Sequence, residues 1–235
     1  MKEEGPEILK LTDVLVDPSS TYDTGLSCDA LVIEEGDLAL VLVETGLYSI
    51  PLGDLAMGLV TPERGKVEFR GHDWRNLAAE AAVKLRGRIG RTFEWVGWLS
   101  NLDVDENIML PQRYHTNRSE EEIAAEADAM ARALGMDGIP MVRPSMLTRR
   151  DLRRAEWVRA FIGRPDLIVL ERPTRNVPAD WIPLLVARVD AARARGAAVI
   201  WITGRHDEWQ HAHSKATFKY AIRDASMIQV SGEEK

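Results

Sequence analysis

Apolar residues run unbroken over Leu38–Val43, directly after Gly36-Asp37, which suits a strand buried on both faces of a sheet. The same signature returns at residues 167–170 and at Ala198–Thr203. Shorter strand signals lie at residues 8–12, 30–33, 66–69 and 89–93, with a polar, turn-rich segment at 17–24, and residues 218–230 predict a terminal hairpin. Between the strands the period lengthens. Residues 50–59 predict a helix that tolerates Pro51 in its first turn and ends at Gly58 and Pro62. Ser119 with Glu122 forms a capping box, after which Ile123, Ala127, Met130, Ala131 and Leu134 recur at helical spacing until Gly135 stops the run. Residues 148–162 and 182–195 predict two more helices, closed by Gly163 with Pro165 and by Gly196. Strands alternating with helices predict an α/β protein with a largely parallel sheet. There is no internal repeat.

Composition narrows this picture. At 235 residues, 45% hydrophobic and 29% charged, the chain can bury a sizeable core and form one large domain with a smaller lobe. A formal net charge of -7 argues against nucleic acid or an anionic membrane surface as a partner. Cys28 is the only cysteine, so no intrachain disulfide forms and a reducing compartment fits. No apolar run reaches the roughly 20 residues of a membrane span, and no signal peptide precedes the first strand, so any membrane role is expected to be peripheral.

The stretch from Gly36 to Gly65 reads as buried strand, tight loop and helix, the scaffold on which a P-loop holds phosphates. The order of all the pieces resembles the nucleotide-binding subunit of an ABC transporter over nearly the whole chain. The run IGRTFEWVGWLSNLDVDENIMLP at 89–111 is similar to that family's Q-loop region and the apolar stretch behind it. Residues 144–166 resemble its signature helix, including Arg153-Arg154-Ala155 and Arg159-Ala160, and LIVLERPT at 167–174 stands at its Walker B strand. Within the family, residues 101–111 look most like the lipid-transport branch that partners MCE proteins. The resemblance implies a P-loop NTPase-like fold: a mostly parallel core sheet, an antiparallel β subdomain and a helical lobe. As one domain over 1–235, it would place core and β subdomain in 1–93 and 164–235 and the lobe in about 112–163.

In the family's register the chemistry-bearing positions are altered. Val43 and Tyr48 stand at glycine positions of Walker A and Gly46 remains, while Ser49 replaces the lysine and Ile50 the Mg²⁺-binding hydroxyl. Glu44 adds negative charge beside the loop. The Q-loop glutamine is Glu94. The signature becomes Leu147, Thr148, Arg149, Arg150 and Asp151, whose arginines are either an anion site at a helix start or a solvated basic face. Walker B ends in Glu171 and Arg172. Glu171 can still ligate a metal, whereas a guanidinium is no general base and suits an ion pair. Pro178 holds the D-loop position and Gly204 the switch position, with His206 two residues beyond. His206, His211 and His213 suggest an exposed loop rather than a metal site. Trp95, Trp98 and Leu99 lie where the family receives a permease coupling helix, although ordinary core packing would also use them.

From these positions the expectation is a catalytically inactive ABC-type subunit, a pseudo-ATPase with no catalytic residues, no metal and no cofactor. It would sit on the cytoplasmic face of the inner (plasma) membrane. Its partners would be an integral-membrane permease, a second ABC chain as homodimer or heterodimer, and MCE-family proteins, with no nucleic acid. The alternatives are an unconventional or weak ATPase using ATP and Mg²⁺ with a partner chain, and a soluble adaptor or nucleotide sensor.

Overall fold

The computed structural model of the chain describes residues 5–44, 46–47, 49–95, 97–210 and 215–230. In order these form β1 (Glu7–Val16), β2 (Leu26–Glu34), β3 (Leu38–Val43), α1 (Leu52–Ala56), β4 (Arg64–Phe69), β5 (His72–Asp73), α2 (Ala79–Arg86) and β6 (Ile89–Thr92). There follow α3 (Val104–His115), α4 (Glu120–Ala133), α5 (Arg149–Phe161), β7 (Leu167–Glu171), α6 (Ile182–Ala194), β8 (Ala198–Thr203), α7 (His206–Gln210), β9 (Phe218–Arg223) and β10 (Ser226–Gln229).

Among the described residues the strands make one mixed sheet in the order β5-β4-β1-β2-β10-β9-β3-β8-β7-β6. From β9 through β3, β8 and β7 to β6 every pairing is parallel. The pairings β1 with β2, β1 with β4 and β4 with β5 are antiparallel, and β10 joins the two parts. The expected α/β class with a parallel core and an antiparallel β portion is therefore present.

β3 explains how one apolar run serves two faces. Its side chains alternate: Ala39, Val41 and Val43 join the core shared with β1, β2, β4 and α1, while Leu38, Leu40 and Leu42 join the core shared with α3 to α6. Each buried leucine contributes about 2 kcal/mol. β7 and β8 split the same way, with Val169, Ile200 and Ile202 on the first face and Ile168, Leu170, Val199 and Trp201 on the second.

The Ser119–Glu122 capping box forms as expected: Glu122 N–H donates to Ser119 Oγ and Ser119 N–H donates to Glu122 Oε2. Thr148 caps α5 by accepting from Asp151 N–H. At the far end of α5 the fully buried Trp157 donates its indole N–H to Pro173 O at 3.0 Å, tying the helix to the loop after β7.

Some elements depart from expectation. α1 is five residues long, because its start follows Pro51 and its end is set by Gly58 at φ +60°, where the Trp74 ring leaves no room for a Cβ. α2 and α3 lie outside the predicted helices. α2 buries only Ala82 fully and so lacks an apolar stripe, and α3 carries Pro111 in its interior, which reads as a break. Among the described residues no helix is long and apolar enough to cross a membrane.

Candidate functional site

Ligands of open α/β sheets bind beyond the carboxyl ends of the parallel strands. Here the ends of β3, β6, β7 and β8 open onto a cleft of about 190 Å³. Val43, Ser49, Ile50, Glu94, Trp95, Glu171 and Arg172, seven positions singled out from sequence, all line it. So does Asp54 of α1.

The centre of this cleft is a residue that sequence reading missed. Arg91 of β6 is buried, and its Nε and Nη2 both donate to Glu171 Oε1, at 2.9 and 2.6 Å. Its Nη1 donates to Asp54 Oδ1 at 2.5 Å, and its guanidinium lies 4.6 Å from the Phe93 ring centre. Burial works against its charge, but Glu171 and Asp54 outweigh that and hold the guanidinium above its ordinary pKa. Glu171 Oε2 accepts the Glu94 N–H at 2.9 Å, and Tyr22 Oη donates to Asp54 Oδ2 at 2.6 Å. Burial, reinforced by Asp54, pushes the Tyr22 phenol up. Gly53 makes this possible: a Cβ there would overlap Glu171 Oε1 and lie 2.7 Å from Arg91 Nη2. One signal was available in the sequence. An arginine inside the strand run IGRTF, amid buried neighbours, requires a buried carboxylate partner.

Next to it stands a second charged group. Arg172, at φ +42°, pairs with Glu94: Nε is 3.0 Å from Glu94 Oε2, close but not aligned as a hydrogen bond. Its Nη2 donates to Leu47 O in the loop after β3, and its backbone N–H to Ile202 O at 2.8 Å. Arg175 donates to Glu94 Oε1. Burial raises the Glu94 carboxyl, with Arg172 and Arg175 acting against it. Arg153 of α5 donates to Phe93 O at 2.8 Å and to Glu156 Oε2 at 2.6 Å, linking α5 to the end of β6. The expectation that Arg172 makes an ion pair holds.

The loop after β3 is anchored from an unexpected side. Ser49 N–H donates to Asp23 Oδ2 at 2.9 Å and Ser49 Oγ to Thr21 O at 3.0 Å, so the turn-rich segment between β1 and β2 clamps it. Gly46 has φ +95°, with open space where a Cβ would stand. Tyr48 lies outside the described residues.

Other singled-out residues stand apart from the cleft. Thr148, Arg149 and Arg150 are exposed at the start of α5, with Leu147 and Asp151 half-buried beside them; Arg150 lies 5.9 Å from the Trp181 ring centre. Pro178 precedes a single 3-10 turn. Gly204 packs against Arg172, whose guanidinium leaves no space for a Cβ. His206 is exposed at the start of α7 and borders a separate depression with Glu44. His211 and His213 lie outside the described residues. Leu99 is about half exposed, at 49%, as is the cleft-lining Trp95, at 54%. Arg175 lies 4.5 Å over the Trp95 ring, while Trp98 is half-buried beneath Arg159.

The cleft can therefore offer two guanidiniums, Arg91 and Arg172, to an anionic ligand. Each is already engaged by carboxylates, so phosphate oxygens would compete with Glu94, Glu171 and Asp54 for them. Both oxygens of Glu171 are engaged, so it would ligate Mg²⁺ only by giving up the Arg91 guanidinium or the Glu94 N–H.

No family model matches the chain. It is 27% identical over 201 residues to the intermembrane phospholipid transport system ATP-binding protein MlaF of Haemophilus influenzae, covering 84% of this chain and 74% of that protein. It is 28% identical over 151 residues to the methionine import ATP-binding protein MetN 2 of Enterococcus faecalis, covering 64% of this chain and under half of that protein, 44%. Among solved structures it superposes on the dimeric bacterial ABC transporter cassette MJ0796 with a TM-score of 0.79 at 18% identity, covering 96% of this chain and all of that one. The same cassette in a post-hydrolysis state bound to ADP and Pi gives 0.78. These relatives correct the expectation of a non-enzyme that takes no cofactor. The proteins it resembles are ATP-binding, and one is caught after hydrolysis with its products. That expectation followed the residues at the lysine and glutamate positions, and overlooked Arg91, the cation that reaches the cleft from β6. By architecture, the chain has the fold of an ABC-transporter ATP-binding domain.

Proposed function

We propose that this chain is the ATP-binding subunit of an ABC-type transporter, of the kind that moves lipid, and that its cleft receives the nucleotide phosphates through guanidinium groups. The observation that carries this reading is the cleft at the ends of β3, β6, β7 and β8, with Arg172 and Arg91 on its wall. Arg172 is the phosphate-facing cation. It is held at a left-handed backbone position against the loop after β3, where the side chain at 49 carries no charge. Arg91 weakens the repulsion of the phosphates by Glu171 and Asp54, offsetting one of their two negative charges. Glu94 and Glu171 are the carboxylates this chain offers for orienting an attacking water; the bond that breaks on ATP hydrolysis joins the γ-phosphorus to the β–γ bridging oxygen.

The half-exposed face of Trp95, Trp98 and Leu99 is the docking surface for a membrane permease. Beside it lies a depression of about 290 Å³ bordered by Arg149, Arg153, Glu156 and Arg175. Aromatic anchors flanked by charge suit such a contact. The subunit would work on the cytoplasmic face of the membrane, paired with a second ABC chain and in one complex with MCE-type proteins. Similarity to MlaF over most of both chains supports the lipid branch.

Calorimetric titration with ATP, with and without Mg²⁺, tests the cleft. The wild-type chain binds, and Arg172→Ala weakens binding about 10- to 100-fold, the value of one charge-assisted hydrogen bond of roughly 1.5–3 kcal/mol. Absence of binding by the folded wild-type chain at millimolar ATP overturns the proposal. Co-purification from detergent-solubilised membranes tests docking: Trp95→Ala with Leu99→Ala loses the membrane partner, and unchanged recovery rejects that surface.

A further inference from the structure

A second cavity, of about 150 Å³, lies between α2, β6, α3 and the end of α5. It shares only Arg91 and Phe93 with the nucleotide cleft. Among the described residues its ionisable lining is Arg86, Arg91, His115 and Arg159, with no aspartate or glutamate. Arg91 is neutralised by Glu171 and Asp54. The others are not matched in this way. Arg86 gives its Nε and Nη2 hydrogen bonds to the carbonyls of Met57 and Gly58, at 2.9 and 2.8 Å. Arg159 donates Nη1 to Gly97 O and sits between the rings of Phe93 and Trp98.

Two nitrogens bordering this cavity are buried without a hydrogen-bond partner: Arg159 Nη2 and His115 Nδ1. A buried orphan of this kind carries a desolvation penalty, larger when it belongs to a charged group. Burial depresses the proton affinity of both groups, with Arg86 adding to the effect at His115 and Glu156 partly offsetting it at Arg159. Water could occupy the donors but would leave Arg86 without a carboxylate partner among the described residues.

We propose that this cavity is a binding site for a small tetrahedral oxyanion of the phosphate class, accepting from Arg159 Nη2 and from His115 Nδ1 as an N–H, with Arg86 supplying further charge. Its volume of about 150 Å³ accommodates a single phosphate. The anion would be a second ligand, separate from the one in the nucleotide cleft.

The test follows the His115 imidazole by NMR on histidine-labelled protein, assigned with His115→Gln, through a pH titration in inorganic phosphate and in chloride at equal ionic strength. A bound anion favours imidazolium, so the His115 pKa rises in phosphate by roughly 1 unit. Arg86→Gln removes that rise. Arg172→Ala, which acts in the nucleotide cleft, leaves it intact. Superimposable wild-type curves in phosphate and chloride overturn the proposal, and they do so without reference to any variant. A rise that disappears in Arg172→Ala also overturns it, because the response then originates in the nucleotide cleft.

Discussion

Arg91→Met is the sharpest perturbation of the charged centre, because methionine keeps much of the side-chain length and removes only the guanidinium. Three charge-assisted hydrogen bonds are lost, two to Glu171 Oε1 and one to Asp54 Oδ1. The two carboxylates suffer unequally. Asp54 is about a quarter exposed and retains Tyr22 Oη, so water replaces much of what it loses. Glu171 is far less exposed and retains only the Glu94 N–H. The cost is therefore that of a buried carboxylate stripped of its partner, about 3–5 kcal/mol. That is a large share of the 5–15 kcal/mol typical of a folded domain. Glu171→Gln in the same background removes the orphaned charge, and the double variant is expected to recover about 2 kcal/mol, a coupling within the usual range for residues in contact. Urea unfolding followed by tryptophan fluorescence measures all four corners of the cycle. A loss below about 1 kcal/mol for Arg91→Met, or strict additivity with Glu171→Gln, would refute the account of Arg91 as the group that makes this carboxylate tolerable in the core.

Gly53→Ala places a Cβ against Glu171 Oε1 and Arg91 in a packed site, so urea unfolding should register an overpacking loss of about 1–3 kcal/mol; an unchanged midpoint would mean that α1 can move away from the pair at no cost. Burial pushes the Glu156 carboxyl up to about 7 from 4.5, with Arg153 and Arg159 opposing the shift. The folded state then binds its proton more tightly than the unfolded state, so the associated stability is complete below about pH 4.5 and is lost as pH rises through about 7. Wild type should fall relative to Glu156→Gln by about 3 kcal/mol across that window, and parallel stability curves would contradict the shift.

How much of this could be read in advance depends on how far apart the interacting residues lie in the chain. β3, β7 and β8 were legible because a strand buried on both faces leaves a local mark, an unbroken apolar run. The first turn of α4 was legible because its capping box spans three residues. The cleft itself was half legible. Glu94, Glu171 and Arg172 follow from family register, but Asp54 and Arg91 enter it, and Tyr22 and Arg175 bond to its carboxylates, from elements scattered along the chain, and Arg91 lies 80 positions from its partner Glu171. No periodicity links such residues. Reading position by position also misjudged the chemistry, because it treated the lost lysine as the loss of positive charge from the site. Charge in a low-dielectric cleft is a property of the volume, not of one sequence position. A guanidinium arriving from a neighbouring strand acts on phosphate by the same Coulomb term as an ammonium arriving from the loop, provided its carboxylate partners can be exchanged. On the proposed function, phosphate binding in the cleft would depend on how readily Arg172 leaves Glu94 for a phosphate oxygen. Arg175 is placed to make that exchange easier, since it continues to neutralise Glu94 once Arg172 has turned away.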